Sequence, residues 1–214
     1  VSRIDPNVFL DDDGTLYFYQ GGGSHVFSGK FKKDDWTQLD GTPVEMTGAT
    51  NFHEGAWVFK KDGIYYLTYP DNHDTKQGGN QLRYATSTSP LGPWTEKGIY
   101  MHPHGGDTAH GSVVYFKGKW YQFYHTGNYS GLGNRRSVCV DELTFDDNGG
   151  INMVKNWGDP KGGTAPQLGN DTVTIEAENY NDGGSHYGYY VRTRDNHVLE
   201  TKTEGETTYI SALQ

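Results

Sequence analysis

Two carboxylic acids and a histidine stand at matching places in the chain, each ahead of an apolar stretch and a glycine turn. Asp5 and Glu54 precede their turn glycines by nine positions each, and His110 precedes its own by eight. A pair of carboxyl groups can supply the acid and the base that glycoside hydrolysis needs. Taken alone, each of the two acids is more simply explained as a solvated charge at a strand end, but a shared register favours a joint site.

Glu54 is the candidate proton donor of this set. It lies in the stretch "NFHEGAWVF", whose aromatic side chains would desolvate it and favour its protonated form; these are Phe52, Trp57 and Phe59. Asp5 is expected to stay ionised. The sequence thus predicts two carboxyl groups in different protonation states at one site.

Three segments predict the elements that would position these residues. They are "DPNVFLDDDGTLYFYQ" from Asp5, "EGAWVFKKDGIYYLTY" from Glu54 and "HGSVVYFKGKWYQFYH" from His110. Each has two strand-like runs around a glycine turn and predicts a β-hairpin. The turn glycines, Gly14, Gly63 and Gly118, are 49 and 55 residues apart, which is typical of four-stranded β-propeller blades. Because inner strands of blades line one channel, we expect the three ionisable residues to converge at its mouth.

Composition narrows the classes of partner. The net charge is −9, and no cluster of Lys and Arg is present that could bind a nucleic-acid backbone or an acidic membrane surface. No apolar run approaches the roughly 20 residues that span a bilayer. The single cysteine, Cys139, lies among apolar neighbours and predicts a buried thiol. A neutral saccharide remains the expected partner.

Several motifs in order resemble the catalytic domain of glycoside hydrolase family 43, from about Ser2 to about Val154. They are "RIDPNVF", "EGAWVFKKDGIYYLTY", "YATSTSPLGPWTEKG", "HGSVVYFKGKWYQFYH" and "RRSVCVDEL". The resemblance implies an all-β fold, a five-bladed β-propeller, with an inverting mechanism. It implies that Glu54 is the general acid and that Asp5 tunes and orients it, with His110 beside a channel calcium or its water shell. The alternative for His110 is a structural imidazole that is hydrogen-bonded in the channel. Residues expected to contact sugar are Phe52, His53, Trp57 and Arg136.

The resemblance leaves the general base unassigned. The family's base is an aspartate in the first blade, well ahead of the motif that contains Asp5, so we expect it outside this sequence. About three blades are predicted here, fewer than the roughly four that close a ring; preceding blades or another chain would complete it.

The tail predicts a second domain. Residues 1–157 form the predicted partial propeller, 158–171 a Gly/Pro-rich linker, and 172–214 the start of a β-sandwich. The stretch "IEAENY" resembles the first strand of a family 6 carbohydrate-binding module, which implies that Glu176 and Glu178 lie near a structural calcium.

The first hypothesis is therefore a secreted or periplasmic inverting hydrolase that releases terminal arabinofuranosyl or xylosyl residues from hemicellulose or its oligosaccharides. The N-terminus shows no signal peptide. One alternative is a carbohydrate-binding propeller fragment without the base. Another is a structural fragment that mediates assembly and has no affinity for saccharide.

Overall fold

The computed structural model describes residues 4–72, 80–105, 108–156 and 158, and two strands within 200–211. The chain divides into two units, Val1–Ala165 and Pro166–Gln214. The described residues contain strands and turns but no helix, and so no helix that could cross a membrane. The predicted linker and C-terminal module lie almost entirely outside the described residues, so their boundaries stay predictions.

The described residues of the first unit form three antiparallel sheets. The first comprises β1 (Asn7–Leu10), β2 (Leu16–Gly22), β3 (His25–Lys32) and β4 (Asp35–Leu39), with the short β5 (Val44–Glu45) also paired to β3. The second is β6 (Trp57–Lys61), β7 (Ile64–Asp71), β8 (Gln81–Ser87) and β9 (Thr95–Met101). The third is β10 (Gly111–Phe116), β11 (Lys119–Thr126) and β12 (Ser137–Leu143). In the second unit β13 (Glu200–Glu204) pairs antiparallel with β14 (Thr207–Ser211).

The three predicted hairpins are confirmed. Two of them turn through consecutive residues with positive φ, Asp62 (49°) with Gly63 (78°) and Lys117 (48°) with Gly118 (85°). This is the backbone of a tight turn that matches the right-handed twist of its strands, and glycine adopts the second position without steric cost. The third sheet differs from expectation at its end. In this sheet β12 is the only regular strand after β11, and the described segment that follows it forms two isolated bridges, Phe145 with Ile151 and Val154 with Met101 of β9.

The second sheet is buried on both faces. Along β7, Tyr65, Leu67 and Tyr69 belong to a core cluster shared with the first sheet, whereas Tyr66 belongs to one shared with the third. Alternate side chains of a strand point to opposite faces, so β7 lies in the middle of a three-sheet stack. Cys139 is buried in the cluster shared with the third sheet, as predicted.

The outer faces of the stack are open. Val8 and Leu10 on β1, and Val138 and Val140 on β12, are exposed apolar side chains. Within the described part of the chain the sheets do not close into a ring, and the number of blades stays a prediction.

Candidate active site

The starts of the three inner strands bring two carboxylates and an imidazole together. Nε2 of His110 lies 3.5 Å from Oδ2 of Asp5 and 3.6 Å from Oε1 of Glu54. One side-chain N or O atom from each of the three residues lies within 4.8 Å of those from the other two. The prediction that these residues converge is confirmed, while their chemical roles stay predictions.

Local backbone conformation sets the direction of the two acids. Asp5, two positions before the first residue of β1, has a left-handed backbone (φ 54°), a conformation that Asp tolerates better than most residues. The carbonyl of Ile4 accepts a hydrogen bond from Gly21 N at 3.1 Å. Glu54 forms an isolated antiparallel bridge with Gly22. Both acids are therefore tied to the end of β2, although they belong to different hairpins.

Gly55 makes room for the imidazole of His110. A Cβ at residue 55 would lie 2.8 Å from Cε1 and 3.0 Å from Nδ1 of His110, well inside van der Waals contact. Its backbone is also left-handed (φ 61°). Glycine is thus required twice over, because only a residue without Cβ satisfies both the conformation and the close approach.

Two side-chain hydrogen bonds hold the inner strands in register with one another. Oδ1 of Asn7 accepts from Val58 N at 3.0 Å and joins β1 to β6. Nε1 of Trp57 donates to the carbonyl of Val113 at 3.0 Å and joins β6 to β10. These contacts fix the starts of the three strands relative to each other. Backbone pairing within one sheet could not do this, because the three strands belong to different sheets.

The site is half-buried. The side chains of Glu54, Asp5 and His110 are 17 %, 29 % and 36 % exposed. Asp5 and His110, but not Glu54, line a depression of about 310 Å³ whose walls come from all three inner strands and also include Asn7, Gly55, Trp57 and Ser112. Oδ2 of Asp5 is buried and accepts no hydrogen bond within the described residues, and the imidazole of His110 faces it at 3.5 Å.

His53 flanks Glu54 on its other side. Nε2 of His53 lies 3.9 Å from Oε2 of Glu54 and 3.0 Å from Nδ2 of Asn72. The two oxygens of Glu54 thus face different imidazoles. Sequence inspection had no signal for Asn72, because its partner lies across the hairpin.

Arg136 lies just before β12 of the third sheet. Its guanidinium donates to Oγ1 of Thr108 at 2.8 Å, and the side chain is exposed. The buried His125 donates through Nε2 to the carbonyl of the same residue at 2.9 Å. Burial lowers the pKa of His125 to about 4, and the positive field of Arg136 adds to this. Sugar contact by Arg136 stays a prediction, and His125 is a second feature that the sequence did not indicate.

Two aromatic residues have a different place from the one expected. Phe52 is 1 % exposed and packs against Tyr69 at a centroid distance of 5.5 Å. Phe59 stacks on Tyr66, at 4.9 Å, in the other core cluster. Phe52 is therefore a core residue whose ring offers no face to a sugar, and Phe59 does not surround Glu54. Phe59 lies on β6, where alternate side chains point to opposite faces, and its ring points toward the cluster shared with the third sheet. Phe52 precedes β6 and packs into the cluster shared with the first sheet.

Asp5, Glu54 and His110 fit calcium poorly as direct ligands. Calcium takes six to eight oxygen ligands, whereas this set offers two carboxylates and an imidazole nitrogen. Glu176 and Glu178, the other predicted calcium ligands, lie outside the described residues. Calcium beside His110 stays a prediction.

Comparison with known proteins gives consistent matches. The family model described as glycosyl hydrolases family 43 matches residues 1–151. The match ends there and gives no support to the predicted family 6 module. A xylosidase/arabinosidase of Bacteroides ovatus is 41% identical over 195 residues, which cover 71% of this chain and 57% of the relative. A beta-xylosidase of Xylanibacter ruminicola is 33% identical over 193 residues, covering 71% and 58%.

Solved structures agree with this. The chain matches the family 43 arabinoxylan arabinofuranohydrolase from Bacillus subtilis, solved in complex with cellotetraose, with a TM-score of 0.67 and 30% identity. The match covers 74% of this chain and 38% of that one. The chain spans a little over half the length of the two curated relatives named above.

Proposed function

Because the chain belongs to glycosyl hydrolases family 43, we propose that it acts in an inverting hydrolase that releases terminal arabinofuranosyl or xylosyl residues from hemicellulose. The observation that carries this proposal is the convergence of Asp5, Glu54 and His110 from three separate hairpins. The relatives named xylosidase/arabinosidase and beta-xylosidase support the choice of sugar. A plant cell-wall polymer as substrate also supports secretion or a periplasmic location.

Glu54 is the proton donor in this proposal. Oε1 of Glu54 lies 3.6 Å from Nε2 of His110, and Oε2 lies 3.9 Å from Nε2 of His53. We assign the proton to Oε2. The proton on Oε2 passes to the glycosidic oxygen while the bond from that oxygen to the anomeric carbon breaks. A water molecule attacks the anomeric carbon from the opposite face and loses its proton to the base.

Asp5 is too close to Glu54 to be that base. Their nearest side-chain oxygens lie within 4.8 Å, whereas inverting pairs are about 6.5–9.5 Å apart so that a water fits between them and the sugar. We assign Asp5 a positioning role through His110, which faces both acids. The base is then a further carboxylate outside the described residues.

Leaving-group dependence tests the role of Glu54. In the protein that the gene encodes, Glu54→Gln is expected to lower kcat/KM on xylobiose and arabinoxylan by about 10²–10⁴. The loss should be much smaller on 2,4-dinitrophenyl xyloside, whose leaving group needs no proton. The matched control is Glu45→Gln, which removes a half-exposed acid paired with His25 on the first sheet.

Two results would count against the proposal. Normal turnover of xylobiose and arabinoxylan by the Glu54→Gln form would remove Glu54 as the acid. Proton NMR should show the inverted anomer as the first product. The retained anomer would instead make Asp5 a nucleophile.

The short distance between Asp5 and Glu54 excludes Asp5 as the base and leaves the described residues without an assigned base. This favours a second candidate function, a saccharide-binding domain that performs no hydrolysis. Calorimetry on the chain itself separates the two. Binding of xylo- or arabino-oligosaccharides, with no reducing sugar released by the gene-encoded protein, would establish the second candidate.

A further inference from the structure

Asn72 forms a hydrogen bond with Nε2 of His53, the ring nitrogen that lies nearest to Glu54. Nε2 of His53 is 3.0 Å from Nδ2 of Asn72 and 3.9 Å from Oε2 of Glu54. A hydrogen bond accounts for the first distance, but the second is too long for one. His53 therefore lies next to the acid without bonding to it.

The chemistry of imidazole makes this arrangement consequential. A ring nitrogen of neutral histidine either donates or accepts one hydrogen bond, and in His53 the bond with Asn72 uses Nε2. If Nε2 lost this partner, it could carry a proton and approach Oε2 of Glu54 by about 1 Å to reach hydrogen-bonding distance. That bond would favour the carboxylate over the carboxylic acid and cover the oxygen that must face the leaving group.

His53 and Asn72 are held in place by the ends of the second sheet. The amide of His53 donates to the carbonyl of Pro70 at 3.1 Å. Asn72 follows Asp71, a buried carboxylate that accepts hydrogen bonds from Arg83 and Gln81. The contact between Asn72 and His53 thus joins two anchored backbone segments, as a positioning contact requires.

We propose that Asn72 is a positioning residue for the acid: it holds Nε2 of His53 and keeps Oε2 of Glu54 available to donate its proton. This inference rests on the proposed function, in which Glu54 is the general acid. Asn72 itself touches no reacting atom in this scheme.

The test compares Asn72→Ala with the double variant Asn72→Ala/His53→Phe in the gene-encoded protein. Asn72→Ala is expected to lower kcat on xylobiose about 10- to 100-fold, the scale of a misplaced catalytic group. KM and turnover of 2,4-dinitrophenyl xyloside should change little. The double variant should recover part of the lost kcat, since phenylalanine cannot donate to Glu54. The control is Asn152→Ala. It removes an exposed amide that donates a hydrogen bond to Thr144, in the segment that follows β12.

The results distinguish failure of the proposed role of Asn72 from failure of the proposed function. An equal loss on both substrates, a raised KM, or a double variant no better than Asn72→Ala would overturn the role of Asn72. If Glu54→Gln shows no leaving-group dependence, the proposed function itself fails. If Glu54→Gln shows that dependence and Asn72→Ala does not, only the inference about Asn72 fails.

Discussion

Replacing Gly55 with alanine should move His110 without deleting any functional group. The added Cβ would lie 2.8 Å from Cε1 of His110, and ordinary contact begins at 3.4 Å. The ring must therefore retreat by about 0.6 Å or more, since repulsion is steep at shorter range. That retreat changes its 3.5 Å and 3.6 Å approaches to Asp5 and Glu54.

The size of the effect has two separable parts. A left-handed backbone costs alanine about 1–2 kcal/mol, which lowers the Tm of a unit this size by roughly 2–8 °C. Displacement of a group beside the acid should lower kcat/KM on xylobiose by about 10- to 100-fold. The first part affects stability, and the second affects activity.

Gly63→Ala is the matched control, because Gly63 has φ 78° and a Cβ added there would meet no neighbouring atom within 4 Å. Thermal unfolding and steady-state kinetics of both variants complete the assay. Both should lose similar stability, and only Gly55→Ala should lose activity. Equal activities in the two variants would refute the argument that the close approach of Gly55 positions His110.

Two further predictions concern stability. Trp57→Phe removes the donor to the Val113 carbonyl and should lower the free energy of unfolding by about 1 kcal/mol, measured by urea unfolding. Trp36→Phe, at an exposed site, is the control and should change the free energy of unfolding little. Equal losses in the two variants would contradict the role of Trp57 as a link between sheets. The pKa of His125 is about 4 in the fold against about 6.5 when unfolded, so the unfolded state takes up the proton first. The free energy of unfolding should then fall as the pH drops from about 6.5 to 4. His125→Gln should reduce this dependence on pH, and an unchanged dependence would contradict the role of His125 in it.

The sequence predicted the parts of this fold that local patterns determine. Turn glycines such as Gly63 and Gly118 mark hairpins because their backbone needs positive φ, and a spacing near fifty residues places Glu54 in register with Asp5. What it could not predict depends on which hairpin lies beside which. The burial of Phe52 against Tyr69, and the contact of Gly55 with His110, both arise between segments that only the fold brings together.

The site depends most on hydrogen bonds that cross from one sheet to the next. Asn7 follows Asp5 by two positions, and Trp57 follows Glu54 by three, as Val113 follows His110. Each link between sheets therefore lies next to a site residue, where it fixes the strand start that the residue extends from. Apolar packing between sheets tolerates small slides, whereas a buried hydrogen bond is lost if the strands shift by about 1 Å. We infer that these links set the separation of Asp5, Glu54 and His110 more strictly than the core does.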